Sequence, residues 1–156
     1  MNMVFVTGLV FISLISVTSA ISGTATYYTV YKPSACYGYQ DEGTMIAAAS
    51  DALYANGAAC GQMYKIKCTG GTNQGVPHPC KGGSVTVKIV DRCPSPGCQA
   101  TIDLSQEAFS AIAVLNAGKI LIDYSKYLMN HLITCISFNG VTLLQDRDQS
   151  CKCMPS

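Results

Sequence analysis

Two carboxylates on either side of one short loop are the most chemically suggestive feature of this chain. Asp91 follows the alternating run Ser84–Val90, Asp103 lies in the extended piece Thr101–Leu104, and the loop Cys93-Pro94-Ser95-Pro96-Gly97-Cys98 lies between them. Two carboxyl groups facing one cleft are what glycosidic cleavage needs, one as acid and the other as base or nucleophile. Each also has a structural reading. Asp103 stands two residues before a helix start and can bond nearby backbone N–H groups. Asp91 can cap the turn Arg92-Cys93-Pro94 or pair with Arg92. Asp41 and Glu42 read as a solvated loop, and His78, between Pro77 and Pro79, as an exposed loop residue.

Other chemistries find little support. There is no Ser-His-Asp pattern, and Gly70-Gly71 and Gly82-Gly83 read as turns, not a phosphate loop. No CxxC pair is matched by a second at zinc-finger spacing. No metal and no cofactor are expected. A formal charge of +1 gives no electrostatic case for nucleic acid or for an anionic membrane surface.

The elements that position the two acids follow from periodicity. Val85, Val87 and Ile89 share one face of a strand and Thr86, Lys88 and Val90 the other. Ser105 is a good N-cap for a helix running to about Val114, with Ala108, Phe109, Ile112 and Ala113 at helical spacing. Further strands are expected over Ile21–Thr29, Cys60–Cys68 and Gly118–Tyr124. Thr44–Ser50 reads as a strand or as one buried helical turn. Val30–Gly43 and Thr69–Gly83 read as loops, and Asn56-Gly57 as a turn. Short strands, many turns and one helix point to an all-β chain closed as a small barrel.

The 156 residues suffice for one domain. Residues 1–20 carry no side-chain charge, and an apolar run from Val4 to Val17 precedes Thr18-Ser19-Ala20. That pattern reads as a signal peptide, since the run is short for a membrane span. Export explains the nine cysteines, which at such density pair outside the cytosol. Six lie between Cys36 and Cys98; Cys135, Cys151 and Cys153 follow, and the odd total leaves at least one without an intramolecular partner. Residues 126–156 show no clean period and read as a divergent tail. Asn130, His131 and Asn139 interrupt its apolar stretches, so no membrane insertion is expected there.

The blocks GTATYY, ACYGYQDEGTMIAAASDALYANGAACGQMYKIKC, CKGGSVTVKIVDRCPSPGC, TIDLSQEAF and NAGKILIDY follow one another between Ile21 and Tyr124. In that order they resemble the plant EG45-like domain proteins, which include the plant natriuretic peptide group and are relatives of the expansin N-terminal domain. The resemblance implies a six-stranded double-psi β-barrel over residues 21–125, with one or two short helices. It also implies the disulfides Cys36–Cys60, Cys68–Cys80 and Cys93–Cys98, a choice that six cysteines with fifteen possible pairings do not make by themselves.

The resemblance further implies an open polysaccharide groove lined by Thr26, Tyr27, Asp91 and Asp103. The family's His-Phe-Asp motif appears as Thr101-Ile102-Asp103, and Cys93 stands where some expansins carry an aromatic. Hydrolytic relatives draw their base from the segment after the first strand, but Ile21–Gln40 contains no Asp or Glu. The implied protein is therefore a non-hydrolytic, secreted, monomeric protein of the plant apoplast. Its implied partners are wall polysaccharide, a cell-surface receptor, or both. The receptor role would serve water and solute homeostasis, as in the natriuretic peptides, through a segment near Tyr39–Tyr64. The alternative is a glycan-cleaving enzyme, of endoglucanase or lytic transglycosylase type, with Asp103 as general acid.

Overall fold

Alternation of apolar and polar side chains, and in one strand a short continuous apolar run, builds six strands. In a computed structural model these are β1 (Ile21–Tyr28), β2 (Ile46–Ser50), β3 (Met63–Gly71), β4 (Val85–Cys93), β5 (Ile102–Ser105) and β6 (Ile120–Lys126). The structure describes residues 19–127 and the backbone of two further strands, β7 (Ile136–Ser137) and β8 (Gly140–Val141), which pair with each other. The expected signal peptide and divergent tail, with Cys135, Cys151 and Cys153, fall almost wholly outside the described residues.

The strands close a ring in the order β1-β5-β2-β4-β3-β6. β1 runs parallel to β5 and β2 parallel to β4, while the remaining neighbours are antiparallel. Closure leaves none of the six ring strands with an unpaired backbone edge. Ala25, Ala47, Ala49, Ile66, Val87, Ile89, Ile102, Leu104, Ile120 and Ile122 point inward and are fully buried. The short apolar segment that could have been a helical turn is β2, held between β4 and β5.

Two short helices complete the fold, α1 (Asp51–Tyr54) and α2 (Gln106–Ile112). α2 packs on β1, β4 and β5 and buries Ala108, Phe109 and Ile112. Ser105 caps it, accepting the Ala108 N–H at 3.1 Å and donating its own hydroxyl to the Thr44 carbonyl. The helix stops before Val114 because the chain is drawn off into pairing with Pro79–Lys81. Ala113 is extended and bridges Cys80, and the Val114 N–H bonds the Pro79 carbonyl.

Among the described residues the disulfides are Cys36–Cys60, Cys68–Cys80 and Cys93–Cys98. Bridges of this kind each add about 2–4 kcal/mol in small exported domains. Gly70 and Gly71 are not a turn. They extend β3 past a bulge to face Leu121 and Ile120, and a Cβ on Gly71 would come within 2.8 Å of the Val76 carbonyl oxygen.

Ser105 is fully buried and serves two backbone groups at once. Ser105→Ala is expected to cost about 1–3 kcal/mol, one cap plus one orphaned carbonyl. Urea unfolding measures this; a loss below a few tenths of a kcal/mol would mean that the hydroxyl does not hold α2 to the segment before β2.

Candidate functional site

Strand register lays the polar residues of the outer face in one row. Thr26 of β1 pairs with Asp103 of β5, Asp103 with Ala48 of β2, and Ala48 with Asp91 of β4. The two carboxylates therefore flank a single alanine, their backbones about two strand spacings, or ~10 Å, apart. Ala48 contributes only a methyl group between them and is itself buried.

Asp91 reaches this row through a β-bulge. Ala47 faces Ile89, but Ala48 faces Asp91, so Val90 is an extra residue on β4. Strict alternation after Val85, Val87 and Ile89 would turn Asp91 into the apolar interior. The bulge puts Val90 and Asp91 on the outer side together. Val90 is nevertheless only 1% exposed, because the loop between β1 and β2 covers it. That loop is tied down by Cys36–Cys60, by the Cys36 N–H on the Val90 carbonyl, and by Asp91 itself. Asp91 Oδ1 accepts the N–H of Ala35 at 2.7 Å and that of Arg92 at 2.8 Å. The Arg92 side chain does not pair with Asp91. Its Nε donates to Asp51 at 2.6 Å, and Asp51 also accepts the Ser95 N–H, which seats the Cys93–Cys98 loop.

Asp103 accepts the Thr26 hydroxyl at 2.6 Å and caps no backbone group. Burial raises its pKa and the nearby charge of Asp91 raises it further, while the Thr26 hydrogen bond opposes both. Asp91 and Asp103 also act together on Tyr28. Burial lifts the Tyr28 phenol well above its ordinary value, and the two carboxylates add to that. The Tyr28 hydroxyl is buried and has no hydrogen-bond partner. It is the donor in this cleft that still lacks an acceptor.

Tyr28 takes the place expected for Tyr27. With a period of two, Thr26 and Tyr27 cannot share a face. Tyr27 turns inward and packs on Phe109, ring centroids 5.0 Å apart, whereas Tyr28 lies on the outer face with Thr26. Thr101, at the position of the family histidine, has a structural bond, its Oγ1 accepting the Thr24 N–H at 3.2 Å. Glu42 is not solvated. Its side chain is 9% exposed and forms an ion pair with Lys88, whose ammonium also lies over the Tyr37 ring at 4.6 Å. Asp41 is exposed and pairs with Lys32 at 2.7 Å. His78 is exposed, away from the row.

Residues 46–124 match the double-psi β-barrel family model described as lytic transglycolase. An EG45-like domain containing protein from Citrus jambhiri is 65% identical over 108 residues, covering 69% of this chain and 82% of that protein. The putative EG45-like domain containing protein 1 of Arabidopsis thaliana is 58% identical over 120 residues, covering 77% of this chain and 93% of that protein. Among solved structures, a mutant expansin of Clavibacter michiganensis in complex with cellohexaose superposes with a TM-score of 0.53 at 27% identity. The match covers 70% of this chain and 51% of that one, so this chain spans about half the length of that expansin. The fold is a double-psi β-barrel.

The Asp103 carboxyl should titrate above the ordinary aspartate range in a carbon-detected NMR titration. Thr26→Val, which removes the opposing hydrogen bond, should raise the midpoint further, and Asp91→Asn should lower it. The sign for stability follows from proton binding. An acid whose pKa is raised by folding holds more protons in the native state, so stability falls as pH rises through that window. The stability of the wild type relative to Asp103→Asn should therefore grow as pH is lowered across it. A midpoint at or below that of a free aspartate would mean a solvated carboxylate and no buried cleft.

Proposed function

Because the chain belongs to the EG45-like domain family and shares its barrel with expansins, we propose that it binds cell-wall polysaccharide without cleaving it. The site is the groove formed by Thr26, Tyr28, Asp91 and Asp103, and the place of action is the plant apoplast. The observation that carries this reading is the unpartnered, buried Tyr28 hydroxyl, close enough to Asp91 and Asp103 for both carboxylates to raise its pKa. Tyr28 offers a donor and Asp103 an acceptor, a combination that suits the hydroxyls of a neutral sugar chain. The expansin neighbour was solved with cellohexaose, which supports a glucan as ligand.

Hydrolysis would need a second acid opposite Asp103. The first acids after β1 are Asp41 and Glu42, and each is engaged by a lysine. Asp91 spends one oxygen on two backbone N–H groups that hold the covering loop. One observation favours a second reading: Asp103 is a carboxyl that burial inclines to keep its proton, as a lone general acid for lytic cleavage would. Incubation with cellulose, xyloglucan and peptidoglycan separates the two readings. The binding reading gives no new reducing ends and no anhydro-sugars; either product would favour the enzyme.

A hormone-like role in water and solute homeostasis would use a receptor-facing surface within Tyr39–Tyr64. In that segment Ile46, Ala47, Ala48 and Ala49 are buried in β2, so a receptor would meet the loop before β2 and the helical stretch after it, with Tyr39 the most exposed large hydrophobic side chain. A swelling response of protoplasts that survives Asp103→Asn would favour this surface over the groove.

In calorimetry with cellohexaose, Tyr28→Phe and Asp103→Asn should each weaken binding about tenfold, the loss of one or two net hydrogen bonds. Both variants keep the shape of the groove, and Asp103→Asn keeps an acceptor for Thr26. Unchanged affinity in both would remove the groove from the account.

A further inference from the structure

Beside the row of polar residues lies a cavity of about 140 Å³ that the groove reading does not use. It opens between the loop stapled by Cys36–Cys60 and the outer face of β2 and β4. Its floor is apolar, made by Ile46 and Val90. Both are almost fully buried, and neither belongs to the main core inside the ring. Its rim is polar and includes Tyr31, Gln40, Glu42 and Thr44. The charges around it cancel locally, Lys32 against Asp41 and Lys88 against Glu42. One carboxylate oxygen of Glu42 takes the Lys88 ammonium, and the other is buried with no donor. Buried acceptors normally have a partner, so this oxygen calls for one.

The position of the cavity says what could fill it. Ile46 precedes Ala48 by two residues on the same face of β2, a rise of about 7 Å. Val90 adjoins Asp91 at the bulge. The Tyr31 ring meets the Tyr28 ring edge-on, centroids 5.2 Å apart. A polymer lying along the row thus passes within one sugar's length of the opening. A neutral occupant with an apolar face and peripheral hydroxyls fits such a lining better than an ion does.

We propose that this cavity is a side pocket for a single-sugar branch on a neutral glucan whose backbone lies in the groove. The proposal rests on the groove reading, and it makes the protein selective for branched over linear chains. Gln40 is the handle: its side chain is exposed at the rim, so a bulky replacement fills the opening without entering the core.

Calorimetry on the purified full chain tests this with two ligands of equal backbone length, cellohexaose and a β-1,4-glucan hexamer bearing single-sugar branches. The wild type should bind the branched ligand about tenfold more tightly, the worth of one or two net hydrogen bonds. Gln40→Trp should abolish that preference and leave cellohexaose binding unchanged. Glu42→Gln, which keeps the side chain's size, should reduce the preference. Equal binding of both ligands by the wild type, or a preference that survives Gln40→Trp, overturns the side pocket and leaves the groove standing. Binding of neither ligand overturns both.

Discussion

Ala47 faces Ile89 and Ala48 faces Asp91, and the one-residue slip between those two pairings is the constraint on which the site depends. β4 must supply apolar side chains to the interior at Val85, Val87 and Ile89 and must also deliver a carboxylate to the surface two residues later. Burying an ionised carboxylate without a partner costs several kcal/mol, more than a marginal domain of this size has to spare. The bulge removes the conflict by changing the face on which Asp91 emerges. Val90, left over by the slip, becomes the anchor for the loop above it through its side chain and its carbonyl.

Around that point the molecule has two apolar layers of different character. The inner one fills the ring and determines that the barrel closes. The outer one is small, chiefly Ile46, Ala48 and Val90, and exists only because a disulfide-bonded loop lies across it. Beside it the row Thr26, Tyr28, Asp103 and Asp91 is only partly covered. Its electrostatics follow from partial cover. Asp103 and Tyr28 are dry enough for their proton affinities to rise, while Asp91 remains within reach of backbone donors from the loop.

Much of this was legible in the amino-acid order. Alternation in β3 and β4 and the Ser105 cap need only a period of two and knowledge of capping, whereas the grouping of Thr26 with Asp91 and Asp103 came from the family resemblance. What was not legible depended on partners distant in the chain. Tyr28 could have been chosen over Tyr27 by parity with Thr26 alone. The early end of α2 needed Cys80 to be known as a neighbour of Ala113. Glu42 looks solvated until Lys88, 46 residues later, is seen above it. Gly70-Gly71 resembles a turn because its role as strand depends on pairing with Leu121 and Ile120, about fifty residues later. The bulge left one trace, an acid at a position where strict alternation asks for an apolar residue.

The ring order also bears on how the protein comes into being. β1 is the first of the six strands to be synthesised, yet its neighbours are β5 and β6, the last two. Ala25 meets Ile102 only after the intervening chain has left the ribosome. Until then β1 has no strand beside it, and such delayed, long-range pairing is slow. The Thr26–Asp103 hydrogen bond joins the first strand of the ring to the fifth, so a nascent product cut short before β5 cannot bring these two side chains together, however well its middle has folded.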